Sequence, residues 1–376
     1  MIALLGAILA HFIYGHRPEL FRTIEAFVDQ VGGPWQFPVH TAMGLLTLVA
    51  MWFAATGVGS LVLHRGGAGA ALPSFWQQYV FSLLLGWMAL GLSALLFGLV
   101  GLASRPGLGV MLITFAALGI RGWGYLLSNL RDVKRPEVRT DFEFPGWILA
   151  VVLLLYALII PYALTPSIQS DELRYHLAAP EAYLEAGRIH YLPYHAFSNF
   201  PFLIEMLFMI AMALQGDEAA KAVHTAFLES SAILVALLAF LMIRLHADRG
   251  RRAIPARALA VAAGVAFAEI PSQSILAGWA FVDIATAAYV LAVAYLGMLA
   301  FAREHPPPAW LIGAMAAGAI GTKYLMLPLM IMIAALLLVS MSRHLRMRGL
   351  EAGPAQFRKV RIIRSETYDL AAAPID

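Results

Sequence analysis

QQYVFSLLLGWMALGLSALLFGLVGLA, Gln77 to Ala103, contains no Asp, Glu, Lys or Arg. At about 1.5 Å of rise per residue, such a run crosses a hydrocarbon layer of about 30 Å as one helix. Similar apolar stretches lie at 2–15, 40–63, 107–127, 146–165, 219–245, 256–272, 279–302, 309–322 and 323–341. The first is short and suits a membrane-dipping helix. The last two meet at Gly321-Thr322-Lys323, which reads as a very tight hairpin. A further apolar stretch, 200–214, has the length of an interfacial or re-entrant helix rather than a crossing. The expected fold is all-α: a polytopic transmembrane helix bundle of about ten spans, with interfacial helices in a large outer loop.

Composition carries the same message. Of 376 residues, 61% are hydrophobic and 13% charged, and the mean hydropathy is +0.75. A soluble domain is nearer half apolar and a quarter charged, so a soluble enzyme with one greasy helix is excluded. With no cysteine, there is no disulfide framework, Cys-ligated zinc or thiol nucleophile. No internal repeat, zinc finger, P-loop or dinucleotide fingerprint is present, and Pro306-Pro307-Pro308 reads as a stiff inner connector. The N-terminus lacks a basic n-region and a small-residue cleavage site, so no cleavable signal peptide is expected.

Positive residues set the expected orientation. With the N-terminus in the cytoplasm and 200–214 not crossing, 19 of the 26 Lys and Arg fall on inner segments and 7 on the outer side. If 200–214 crossed, the Arg-rich loop 244–257 would lie outside. The net charge of +3 then reflects an inner-leaflet bias, and no nucleic-acid partner is expected. Thirteen of the 23 acids lie on the outer side or in the outward halves of spans, so any chemistry should face outward. The chain divides into an N-terminal region, 1–145, with four spans and an inner basic loop; a core, 146–342; and a basic cytoplasmic tail, 343–376.

The longest outer segment runs from Thr165 to about Asn199, and the sequence from Thr165 to Phe202 reads TPSIQSDELRYHLAAPEAYLEAGRIHYLPYHAFSNFPF. Ser170 is a candidate N-cap, with Asp171 and Glu172 in the first turn. Leu173, Leu177, Pro180 and Leu184 recur at helical spacing, Pro180 is expected to break the helix, and Gly187 suits its stop. The result is an amphipathic helix at the outer interface, and Tyr175, Tyr183, Tyr191 and Tyr194 fit an aromatic belt. Asp171 reads either as a helix-start acid or as a base for an acceptor hydroxyl. Glu172 and His176 share a helix face. With His190 and His195 they read either as polar interface residues or as metal ligands. Asp283 reads as a helix-start acid or a group holding a metal or sugar hydroxyl. Glu229, deep in its span, needs a partner or a water cavity and reads as a structural pair. Lys323 reads as a snorkelling lysine or a phosphate partner. Gly313, Gly318 and Gly321 suit close helix packing.

The order of these features resembles the GT-C membrane glycosyltransferases, which include protein O-mannosyltransferases and lipid A aminoarabinose transferases. The residues carrying the resemblance are Ser170-Asp171-Glu172, Tyr175-His176, Tyr183 to Gly187, Phe200-Pro201-Phe202, Gly216-Asp217-Glu218, Asp283 and Gly321-Thr322-Lys323. It covers about 146–342 and rests on order and topology. It implies an enzyme that moves a sugar from a polyprenyl-phosphate carrier to a lipid, glycan or protein acceptor on the outer face, usually with inversion. Asp171, then Glu172, would be base or acceptor-orienting group. Tyr175, His176, Asp283 and Lys323 would bind substrate, with Lys323 near the carrier phosphate. Some relatives use a divalent metal, for which Glu172, His176 and Asp283 are the candidates. The protein would be an integral multi-pass membrane protein, of the inner membrane in a bacterial cell. Four spans precede the signature loop, where the common pattern has one, and the chain stops soon after Thr322-Lys323. It thus reads as a compact variant or a truncated chain. The competing functions are a carrier or flippase of lipid-linked sugar and a non-catalytic membrane subunit. Asp171, Glu172 and Asp283 are expected to converge on one outward cavity, with Lys323 on its lipid side.

Overall fold

The computed structural model describes residues 36–133, 159–160, 162–193, 195–246, 256–302, 306–336 and 338. They form helices and connections, with no strand among them. The chain falls into two compact units, Met1–Leu327 and Pro328–Asp376. In the second, residues 328–336 are helical. The first contains α1 (Gln36–Arg65), α2 (Phe75–Leu99), α3 (Arg105–Val133), α4 (Ala178–Glu185), α5 (Leu203–Leu214), α6 (Asp217–His246), α7 (Ala256–Ala268), α8 (Pro271–Ala277), α9 (Asp283–Ala302) and α10 (Ala309–Thr322).

Five helices are long and apolar enough to cross a membrane: α1, α2, α3, α6 and α9. The bent pair α7–α8 makes a sixth if taken as one span. This is compatible with an integral multi-pass membrane protein, and the expectation of about ten spans is not met among the described residues. The stretch 2–15 lies outside them, as does most of 146–165. The stretch 256–272 does not run straight: the chain turns by 62° between α7 and α8. Ile270, held extended before Pro271, cannot continue α7, and Pro271 opens α8 where its missing N–H costs nothing. With 14 residues, α10 is too short to cross alone.

The expected interfacial helix at 200–214 is instead internal. Every residue of α5 from Leu203 to Ala211 is buried. A helix apolar on all sides finds no favourable place at a polar interface and belongs in a core. It packs against α2, α3, α6 and α10.

Backbone contact sets the spacing of α1, α2 and α3. A Cβ built on Gly86 would lie 1.8 Å from the Ala55 carbonyl oxygen, and one on Gly122 would lie 1.8 Å from that of Gly57. Between apolar helices, where lipid competes equally well for side chains, close backbone approach supplies the dispersion contact that holds the pair. Ser60 Oγ donates to the Gly122 carbonyl at 2.9 Å across the same seam. Ser74 caps α2, its hydroxyl accepting from the Gln77 N–H at 3.1 Å while the Gln77 side chain accepts from the Ser74 N–H at 3.0 Å. Gln77 also bonds the Tyr295 hydroxyl and ties the start of α2 to α9. The deep acid Glu229 has a partner, accepting from the Tyr79 hydroxyl at 2.8 Å, and Trp52 Nε1 donates to that hydroxyl at 2.9 Å.

Gly86→Ala is expected to force α1 and α2 apart and destabilise the bundle by at least the ~1–3 kcal/mol typical of overpacking. Thermal unfolding of the full chain in detergent would read this as a clear fall in melting temperature. An unchanged melting temperature would remove this seam from the account.

Candidate functional site

The segment after Thr165 is drawn onto the bundle by a sealed carboxylate. Glu172 is fully buried. Its Oε1 accepts from the Ala280 N–H at 2.6 Å, and its Oε2 accepts from those of Gln169 at 3.0 Å and Ile168 at 3.2 Å. The first contact reaches the α8–α9 connection; the other two close the turn leading into Asp171. Lys221, on α6 and also buried, donates to the carbonyls of Thr165 at 2.8 Å and Pro166 at 3.1 Å. These are orphan acceptors at the end of the preceding helical turn, so the ammonium caps it. Glu172 also acts on Lys221 electrostatically, and each buried charge thereby meets both hydrogen-bond partners and an opposite charge.

A π turn follows, Glu172–His176, with the Leu177 N–H donating to the Glu172 carbonyl at 2.9 Å. Its extra residue shifts the helical register. The helix therefore breaks at Leu177, between the π turn and α4, and not at Pro180, which sits harmlessly in the first turn of α4. The same shift leaves Leu173 exposed and off the expected apolar face, which is made by Leu177, Ala179, Pro180 and Tyr183. Gly187 ends α4 as expected. Its φ is +65°, the Arg188 N–H reaches the Tyr183 carbonyl at 3.0 Å, and the Gly187 N–H reaches that of Leu184 at 3.1 Å. The connection then docks on α2 through the Ile189 N–H and the Gly98 carbonyl, 2.9 Å apart.

Around the π turn the polar groups gather. Asp171 is half-buried and makes no hydrogen bond with a described residue. Tyr175 stacks on Phe197 with ring centroids 4.7 Å apart and lies against the His176 ring at 4.0 Å. Burial first, and then the carboxylates of Asp171, Glu205 and Asp283, push the Tyr175 phenol up to about 12. It stays neutral at physiological pH, and carboxylates from three parts of the chain act at this one hydroxyl. His176 and Glu205 are both buried, with Nδ1 and Oε1 2.8 Å apart. At the start of α9, Asp283 pairs with Lys323 at 2.8 Å, both side chains being partly exposed. His224, on α6, holds this corner in place. Its Nδ1 donates to the Trp279 carbonyl at 2.8 Å, and its Nε2 accepts from the Ile284 N–H at 3.2 Å. Aromatic rings wall the cluster: Phe281 beside His176 at 5.6 Å, and Phe200 between Phe197 and Tyr324 at 5.6 and 5.2 Å.

Of the residues picked from the sequence, Asp171, Tyr175, His176, Asp283 and Lys323 lie around this cluster. Glu172 does not share their surroundings, because all its contacts go to backbone N–H groups. The candidate metal set Glu172, His176 and Asp283 does not fit a metal. Both oxygens of Glu172 are taken, as is Nδ1 of His176, and among the described residues no three His, Asp or Glu are gathered as ligands. His190 and His195 likewise bond to backbone, at the carbonyls of Arg188 and Arg174. Sequence reasoning counted Glu205 and Lys221 only as outer charges. The signal was present for Glu205, the single charge in the apolar run LIEMLFMIAMAL, where an acid requires a partner.

Glu172→Ala would leave the N–H groups of Ile168, Gln169 and Ala280 without their acceptor and would take from Lys221 the largest of its carboxylate attractions. At ~1–3 kcal/mol for each buried unsatisfied group, the variant is expected to lose much of its folded population. Limited proteolysis should cut it between 165 and 202 well before wild type. Equal resistance would show that the clamp is dispensable. No family model, curated protein or solved structure matches this chain.

Proposed function

We propose that the protein is a membrane glycosyltransferase that moves a sugar from a polyprenyl-phosphate carrier to a hydroxyl-bearing acceptor on the extracytoplasmic face, with inversion. One observation carries this reading: Asp171, whose carboxylate has no partner among the described residues, and an ion-paired lysine, Lys323, flank one aromatic-walled cluster where helices capable of crossing a membrane end. Inverting transfer by single displacement asks for those two functions. A carboxylate holds the acceptor hydroxyl, and a cation takes up the charge on the departing phosphate.

Asp283 pairs with Lys323, and a carrier phosphate would compete with that carboxylate for the ammonium. Tyr175, neutral and aromatic, offers a ring face and a hydroxyl donor to a sugar. The excess of Lys and Arg on the segments expected to be inner supports placing the cluster on the outer side. Glu172 supports this reading as the residue that fixes the loop. Lipid, glycan and protein acceptors all present a suitable hydroxyl.

In membranes expressing the chain, labelled polyprenyl-phosphate mannose, glucose and galactose are expected to give up label to an acceptor. Asp171→Asn is expected to lower transfer by about 100-fold or more. Lys323→Met is expected to weaken donor use, read as a higher KM for the carrier. Equal transfer by Asp171→Asn would move the acceptor-holding role elsewhere. Movement of intact donor across the membrane, without a change in acceptor mass, would replace the transferase reading with a carrier.

A further inference from the structure

The His176–Glu205 pair has features that packing alone does not explain. Both residues are about 97% buried, and Glu205 is the only charge on α5. Its Oε1 receives the Nδ1 proton of His176, while its Oε2 is sealed from solvent with no hydrogen-bond partner among the described residues. A carboxylate left half-satisfied in a dry place costs free energy, and such groups mark a chemical task more often than a structural one. The bond at Nδ1 fixes the imidazole tautomer and leaves the lone pair on Nε2. Among the described residues Nε2 has no hydrogen-bond partner, and it is not among the sealed-off polar atoms. The ring lies between Tyr175 and Phe281, and Asp171, Asp283 and Glu205 all act at the Tyr175 hydroxyl beside it.

We propose that His176, oriented by Glu205, is the proton acceptor of the site, and that Asp171 holds the acceptor hydroxyl rather than taking its proton. Imidazole is intrinsically a stronger base than a carboxylate, and a buried carboxylate at the far ring nitrogen stabilises the imidazolium that forms. The step balances. The acceptor O–H breaks and its proton passes to Nε2. The oxygen bonds to the sugar's anomeric carbon as the bond from that carbon to the carrier phosphate breaks, and the electron pair leaves on the phosphate oxygen. Nε2 then returns the proton to water. His176 is thus a catalytic residue and Glu205 a positioning residue. This division of labour rests on the glycosyl-transfer reading.

The test uses the full chain in detergent and two readouts. The first needs no sugar substrate. Diethyl pyrocarbonate acylates the free lone pair of neutral imidazole, so His176 should be modified in wild type, as mass spectrometry of its peptide would show. E205Q keeps an oxygen for Nδ1 but removes the charge, and should slow that modification about tenfold. A His176 that is inert in folded wild type, or equally reactive in E205Q, would overturn the proposal. The second readout is transfer from the three labelled polyprenyl-phosphate sugars. E205Q should lower kcat about tenfold or more with little change in KM, and H176Q should lower it further. Full transfer by folded H176Q would overturn the proposal while leaving the glycosyl-transfer reading intact. Wild type that transfers no label, yet shows fast and Glu205-dependent modification of His176, would sink the glycosyl-transfer reading and leave the oriented base standing. Matching melting temperatures of E205Q and wild type separate these outcomes from misfolding.

Discussion

A single carboxylate, sealed from water, decides where the cluster can form. Glu172 gathers the N–H groups of Ile168, Gln169 and Ala280, and so pins the start of the loop to the connection between α8 and α9. An ionised group in that position would be costly without close donors and an opposite charge. The three N–H groups supply the donors, and Lys221 acts on the carboxylate electrostatically. The loop therefore has one place to sit. Asp171 and Tyr175, next to Glu172 along the π turn, come out on the side of Asp283 and Glu205, and the site follows from the clamp.

The long apolar runs were legible because hydrocarbon imposes a simple rule on sequence: a charge-free stretch of sufficient length forms a helix. α2 starts two residues before the start expected from the apolar run, because Ser74 and Gln77 form a capping box there. Gly187 was legible for the same local reason. The π turn was not, because its i+5 bond accompanies a tertiary tie between Glu172 and residues more than a hundred positions away. The position of α5 was not legible from length alone, which fits a buried helix and an interfacial one equally well. Its lack of any polar face was the better guide.

The site was legible in its ingredients more than in its arrangement. Asp171, His176, Asp283 and Lys323 were picked out by residue type and place in the sequence, and Tyr175 by the resemblance. Their arrangement needed geometry. Glu172, adjacent to Asp171 and chemically equivalent to it, faces backbone, while Asp171 has no partner among the described residues. His176 shares a helix face with Glu172 in sequence, yet its actual partner is Glu205, from a helix that sequence reasoning placed at the surface.

The short buried helix α5 also bears on how the chain is made. Its 12 residues extend only about 18 Å and carry a glutamate, so it cannot partition into lipid as an independent span. It must be received by neighbours already in place. α2 and α3 precede it during synthesis, whereas α6 and α10 follow. Until α6 has emerged, the segment 203–214 has one side uncovered, and Asp283 and Lys323 of the cluster come later still in the chain. The cluster is thus a late product of biogenesis, assembled when the second half of the bundle folds over a helix that the membrane itself would not accept.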